Sequence, residues 1–417
     1  MKIGAESIEG ECLNRKTRVR ERMFQLSTLD QQRMIAFLRD LVRTPSLSCQ
    51  EGAVAARIAD EMHAVGFRDV AMDRIGNVVG RTGRGNGPVL LFDGHMDTVG
   101  VSDPAAWQRD PFGAAIENGV LYGLGACDMK GALAAMVYAG KLLIENHVPL
   151  KGDVVVACVV QEEPCEGLAA RVLVEEEGLR PDWVVLGEPS SMNIARGQRG
   201  RVEFQVTAHG RACHASQPDL GENAIYAASR LIFGVELLAG NLNHDRFLGP
   251  GSLAVTQICS EAGSRNVVPD RCSFILDRRL TLGENEAKAL AEVQSVVARE
   301  RVRADIKVVE YRSTSFTGYT ASQREYFPAW VTDENHPLVQ SLERAAREEI
   351  GARPKMSKFP FSTDGVYTAG IAGIPTVGLG PGDEKLAHTV DDQVRLDDVG
   401  NAARVYARLA TIMLAGK

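Results

Sequence analysis

The hydrophobic rhythm of this chain changes twice, and those changes limit the folds open to it more than any other feature. In the first half, short apolar runs bounded by turn residues alternate with helical patterns. Val89–Phe92, Asp153–Val160 and Trp183–Leu186 are such runs. They suit strands of an α/β sheet, which are covered on both faces and need no polar alternation. Asp30–Val42 carries Met34, Ile35, Leu38, Leu41 and Val42 at helical spacing. Thr44-Pro45 ends that helix, because the residue before proline avoids helical angles. Gly52–Val65 reads as a second helix closed by Gly66, and Lys130–Asn146 as an alanine-rich third that begins at Lys130.

Near residue 196 the period switches. Gly200–Ala208 alternates apolar and polar residues, as a half-exposed strand does. A helix at Asn223–Leu238 follows, then strands at Leu253–Cys259 and Ser273–Leu280, a helix at Glu284–Val297 and a strand at Asp305–Tyr311. This β-α-β-β-α-β order is the ferredoxin-like pattern. After residue 330 the first style returns, with a helix at Pro337–Ile350, a glycine-rich strand and turn at Ile374–Gly382, and a helix at Leu396–Leu414. A chain of 417 residues exceeds what one core usually supports. The expected fold is therefore an α/β domain of residues 28–195 and 316–417, with an α+β unit inserted at 196–315. Residues 1–27 read as a polar extension.

The net charge of −7 argues against nucleic-acid and membrane-surface binding, which call for a basic excess. No run approaches the ~20 apolar residues of a membrane-spanning helix. The first residues mix both charges and lack the apolar core of a signal peptide. None of the eight cysteines forms a Cys-x-x-Cys pair, so a cysteine-rich zinc site is not indicated. Reduced thiols and a cytoplasmic location are expected. Cys127 and Cys213 read as small buried fillers. His63, His147, His209, His244 and His336 read as surface or loop residues.

Chemistry-bearing residues gather in six segments: Gly94-His95-Met96-Asp97, Gly125–Gly131 (GACDMKG), Gln161-Glu162-Glu163, Leu186-Gly187-Glu188-Pro189, Arg211-Ala212-Cys213-His214, and Gly380-Pro381-Gly382 with His388. They lie at the ends of expected strands or in glycine-rich loops, where α/β sheets build their sites. Histidine with carboxylate is the donor set of a hydrolytic zinc centre. Two cations ~3.5–4 Å apart repel strongly, so a carboxylate must be shared between them. With one histidine and one carboxylate terminal on each ion, the pair needs two histidines and three carboxylates. His95, His388, Asp128, Glu163 and Glu188 match that count. Asp97, two residues after His95 on a strand, is placed to accept from its ring N–H. Glu162, beside a ligand, is placed as the proton-transferring base.

These segments resemble the family of acetylornithine deacetylases, succinyl-diaminopimelate desuccinylases, aminoacylases and glutamate-releasing carboxypeptidases. The likeness runs from about residue 28 to the end. It is most specific in FDGHMDTV, GACDMKG, QEE and LGEPS. RGQRGRVEF, QEEPCEGL, FSTDGVYTAG and GIPTVGLGPG resemble in particular the branch called selenium-metabolism-linked hydrolases. The resemblance implies two divalent ions per subunit. Zinc is expected, with manganese and cobalt as alternatives. His95, Asp128 and Glu188 would hold one ion and Glu163, Asp128 and His388 the other, with Glu162 as general base. It also implies that the inserted unit is a lid that joins two subunits in a homodimer. His214 would then steady the oxyanion across the interface, and Asn266 with Arg279 would grip the substrate carboxylate. Arg278 is the alternative to Arg279. Relatives often place a glutamate shortly after the second histidine, whereas Thr389-Val390-Asp391-Asp392 stands here.

Three readings of the activity follow. The first is hydrolysis of an N-acyl amino acid, dipeptide or related carboxylate-bearing amide by metal-activated water. The second keeps the site but cleaves a carbamoyl, amidine or arylamine C–N bond. The third is a metal-containing binding protein without turnover, against which the intact Glu162 argues.

Overall fold

A computed structural model describes residues 24–414. The expected polar extension lies outside the described residues except for its last four. Of these, Phe24 is buried in the main core, so the folded unit begins before residue 28.

Among the described residues, the larger unit is built on a nine-stranded mixed sheet. Its centre is parallel: Val89–His95 lies between Asp153–Val159 and Trp183–Leu186, and Thr376–Gly378 pairs parallel to the last of these. Every residue of Asp153–Val159 is buried, which is why the strand is one apolar run. Arg68–Met72 and Val78–Gly83 extend one side antiparallel, and Ile194–Gln198 continues the other. The first two strands carry arginine, aspartate or glycine instead of an apolar run, which is why the sequence reading passes over them.

Helices form where the spacing predicts them, at Thr28–Arg43, Gly52–Val65, Gly131–Glu145, Pro337–Ile350 and Leu396–Leu414. Gly131–Glu145 is buried almost throughout. Lys130 precedes it rather than opening it. Its ammonium group is fully buried and donates to the carbonyls of Leu41 and Thr44, at 2.9 and 3.0 Å. No helix among the described residues is long and apolar enough to cross a membrane.

A second hydrophobic core lies within residues 202–302. Here Ser252–Ser260, Arg271–Leu280, Gly200–His209 and Ala304–Val308 form an antiparallel sheet in that spatial order. Helices Ala224–Ala239 and Glu286–Glu300 complete the β-α-β-β-α-β order. The strand expected to run to Tyr311 stops at Val308. A hairpin, Glu310–Thr314 with Thr320–Arg324, follows. Its Tyr311, Phe316 and Tyr319 pack against the core of the larger unit.

Phe92, on the central strand, is fully buried with its ring centroid 5.0 Å from that of Tyr406. Phe92→Ala is expected to destabilise the larger unit by about 3–5 kcal/mol. Chemical denaturation followed by circular dichroism would measure this, and an unchanged midpoint would contradict the packing described.

Candidate metal centre

The parallel strands deliver the functional side chains to one edge of the sheet. His95 ends the central strand, Glu162 and Glu163 lie just past Val159, and Glu188 lies two residues past Leu186. His388 follows the turn after Thr376–Gly378. That turn packs so closely that a Cβ on Gly380 would sit 2.0 Å from the carbonyl oxygen of Gly187. Asp128 sits in an irregular turn, Ala126–Lys130, that enters helix Gly131–Glu145.

Asp128 is at the centre. One of its oxygens lies 2.9 Å from His95 Nε2 and the other 3.4 Å from His388 Nε2. His388 Nε2 is also 2.9 Å from Glu163 Oε2, and His95 Nε2 is 3.9 Å from Glu188 Oε1. Donor atoms of His95, Asp128 and Glu163 all lie within 4.8 Å of one another, as do those of His95, Glu162 and Glu188. Ligands ~2.0–2.2 Å from one tetrahedral ion lie ~3.3–3.6 Å apart. The separations here, 2.9–3.9 Å, bracket that range.

The electrostatics also call for cations. Burial raises Glu162, Glu163 and Glu188; Glu188 pushes Glu162 higher still, and both of these stand well above the usual carboxylate range. Burial would raise Asp128 too, but its hydrogen bond with His95 brings it below its ordinary value. Burial would lower His95, yet Asp128 and the surrounding carboxylates hold it well above the usual imidazole range. His388 is raised by its bond to Glu163. One buried oxygen of Glu162 and one of Glu163 have no partner among the described residues. Four carboxylates share two histidines, so bound cations would relieve their repulsion. The residues fit a divalent metal.

Asp97 is used differently from the expectation. The ring Nδ1 of His95 lies 2.9 Å from the backbone carbonyl of Asp97, while the carboxylate is 3.7 Å away. The strand ends at His95, so Asp97 leaves the sheet and its side chain turns elsewhere. It accepts the Ser48 hydroxyl at 2.7 Å and the backbone N–H groups of Glu162 and Glu163 at 3.2 and 3.3 Å. It thereby fixes the segment that carries both glutamates. Glu51 does the same for Gln161, accepting its backbone N–H at 3.1 Å. Burial, then Asp97, pushes Glu51 up to about 7. Ser48 and Glu51 carry no motif, and only their reach across the fold reveals them.

The remaining expected residues sit on the second unit. His214 is exposed, and its Nδ1 meets the hydroxyl of Ser216 at 2.7 Å. Cys213–His214 pairs with Val267–Val268, which brings Asn266 beside His214: the Ala215 N–H donates to the Asn266 carbonyl. No hydrogen bond or ion pair joins His214 or Asn266 to the metal cluster among the described residues. Arg279 holds Asp277 through two bonds of 2.8 and 3.0 Å and lies opposite Arg201 in the sheet. Arg278 is fully buried against Glu284 and Glu292, which removes it as the alternative. Cys127 is buried as expected, whereas Cys213 is only half-buried.

Residues 91–412 match the profile of Peptidase family M20/M25/M40. The uncharacterized protein YgeY of Escherichia coli K12 is 38% identical over 383 residues, covering 92% of this chain and 94% of that protein. The succinyl-diaminopimelate desuccinylase of Marinobacter nauticus is 28% identical over 90% of this chain and 97% of its own length. A dinuclear metal-binding M20 peptidase from Bacillus subtilis shares the fold, with a TM-score of 0.68 at 18% identity over 93% of this chain and 99% of that one.

His95 and His388 hold protons to higher pH than a free imidazole. A divalent ion bound through these imidazoles would have to displace those protons, so binding should release protons near neutral pH and weaken as pH falls. Calorimetric titration in buffers of different ionisation enthalpy would read this. Proton-neutral binding at about pH 6–7 would contradict the assignment.

Proposed function

The chain belongs to Peptidase family M20/M25/M40 and is a metallohydrolase acting on amide bonds; from that premise we propose that it cleaves the C–N bond of a small carboxylate-bearing amide at a pair of divalent ions. An N-acyl amino acid or a dipeptide is the substrate class. The observation that carries this reading is Asp128, whose two oxygens face two different histidines. A carboxylate so placed can be shared. His95 and Glu188 then complete one ion's ligands, and Glu163 and His388 the other's. Zinc is the ion assigned, because the donors are imidazole and carboxylate; manganese and cobalt accept the same set.

Bound there, the ions supply polarisation of the scissile carbonyl and a water made nucleophilic near neutral pH. Glu162 is buried beside His95 and Glu188 with one oxygen unpartnered. It takes the proton from the attacking water and passes it to the leaving nitrogen as the C–N bond breaks, so that a carboxylate and an amine depart. Asp97 keeps Glu162 and Glu163 in place through their backbone. Asn266 and Arg279 receive the substrate carboxylate, Arg279 exchanging Asp277 for it. The desuccinylase relative, by its name, removes a succinyl group, which supports an acyl–nitrogen bond as the target.

The second unit joins two copies in a homodimer. Tyr226, Phe233 and Leu237 stand outward from helix Ala224–Ala239, each 65–70% exposed. Among the described residues, strand Ser252–Ser260 beside it has a neighbour on one side only. An apolar helix face next to an open strand edge favours a second copy about a two-fold axis. His214 then serves the partner's site, where it steadies the developing oxyanion.

A panel of N-acyl amino acids and dipeptides, assayed before and after chelation, tests the activity. Turnover should vanish with the metal and return with zinc, manganese or cobalt. Glu162→Ala should keep its metal and lose about 10²–10⁴-fold in rate, whereas Glu163→Ala should lose metal. The reverse metal contents would exchange the two roles, and full activity in metal-free protein would end the proposal.

Subunit mixing tests His214. Combining His214→Ala with Glu162→Ala subunits gives mixed dimers in which one site carries both defects and the other neither. Recovery of activity is expected. No recovery, with subunit exchange confirmed separately, would refute action across the interface.

A further inference from the structure

Asp392 lies four residues after His388. Its side chain reaches back across the fold. It is 2% exposed. One carboxylate oxygen accepts the backbone N–H of Gly125 at 2.6 Å, and the other accepts that of Cys127 at 2.8 Å. Its backbone carbonyl accepts the N–H of Gly123 at 3.0 Å. Three alternate amides of the segment leading to Asp128 therefore end on this one residue. The geometry is possible because Gly125 turns through φ +81°, a left-handed conformation that a side chain would oppose.

We propose that Asp392 is a positioning residue for the metal centre, tying the loop that carries Asp128 to the segment that carries His388. The contacts close a ring. Asp128 meets His388 at 3.4 Å, a turn from Thr389 to Asp392 is held by the Asp392 N–H on the Thr389 carbonyl, and Asp392 returns to Cys127, the neighbour of Asp128. Gln393–Arg395 then pairs with Val120–Tyr122, which anchors the ring to the strand before the loop. His388 is half-exposed and carries a left-handed φ of 59°, so its own burial does little to hold it. Its contact with Glu163 and the ring together set its distance from Asp128. A shared carboxylate must present each oxygen to a separate ion, and an error at either end pulls one ligand off. Asp392 acts on that spacing without touching the ions or the substrate. A carboxylate suits the task because it offers both oxygens as acceptors. Asparagine, equal in size, offers one acceptor and turns an N–H toward a backbone N–H.

The inference rests on the two-ion reading above, and direct zinc binding tests the two separately. Wild type, Asp392→Asn, Asp392→Glu and Asp391→Asn would be titrated with zinc against a competing chelator, with the metal-free thermal midpoint recorded for each. Asp391 is exposed and matches the charge change. Asp392→Asn is expected to bind the more weakly held zinc about 10–100-fold less tightly, the usual effect of removing a group that orients a metal ligand. Its kcat should fall with KM little changed. Asp392→Glu, which retains both acceptors, and Asp391→Asn should stay near wild type. Wild-type affinity in Asp392→Asn overturns the inference. So does a lower metal-free midpoint with zinc affinity intact, which would mark a purely structural contact. Equal losses in Asp392→Glu and Asp392→Asn would also overturn it. If wild type binds no zinc, the two-ion reading fails and this inference with it. Should Asp392→Asn not fold, Asp392→Ser, smaller and with a single hydroxyl, takes its place under the same criteria.

Discussion

Four carboxylates, Asp128, Glu162, Glu163 and Glu188, converge on only two histidines at one edge of the sheet. Charges of one sign brought together away from water repel and raise one another's proton affinity. Much of the larger unit counters this. Parallel strands end side by side, so His95 ends a fully paired strand and Glu162, Glu163 and Glu188 follow closely on paired segments, whereas Asp128 and His388 sit in turns. Asp97 and Glu51 each accept backbone N–H groups of Gln161, Glu162 or Glu163, and Asp392 accepts those of Gly125 and Cys127. These three carboxylates hold the backbone of the segments that carry the cluster.

The cost is concentrated in a few turns. Gln161 and His388 both adopt left-handed backbone angles, which non-glycine residues rarely take. Each is set by hydrogen bonds from distant parts of the chain. The Gln161 side-chain Oε1 accepts the Tyr311 hydroxyl at 3.1 Å, and the Ser313 hydroxyl donates to it as well. The hairpin leaving the second unit thus rests on the residue before Glu162. Arg201, at the start of the second unit's sheet, bonds Glu166 and Glu325 at 3.0 Å each. The two units are therefore coupled next to the chemistry, through groups that a movement between them would have to break or carry along.

Much of this was legible beforehand, for physical reasons. Buried parallel strands leave a plain apolar signal, and amphipathic helices a periodic one, so helices such as Gly52–Val65 and Pro337–Ile350 match their expected bounds. The change of period near residue 196 marks a second core, because a sheet covered on one face must alternate where a doubly covered one need not. The metal-type residues stand out for a similar reason: histidine and carboxylate at strand ends are chemically specific.

What the sequence by itself determined is thus the class of the fold, the order of its elements and the donor types available for a metal. What only the tertiary structure decided is which groups meet. Asp97 was expected to serve His95 and instead holds Glu162 and Glu163, because the strand stops two residues short of Asp97 and their side chains do not share a face. Arg278 and Arg279 are adjacent in sequence, yet one is spent inside a core and the other faces outward with Asp277. Ser48, Glu51 and Asp392 belong to no local pattern. Their bonds span from 49 to 267 residues of chain, and a hydrogen bond of that range follows from the closing of the fold rather than from any neighbouring residue.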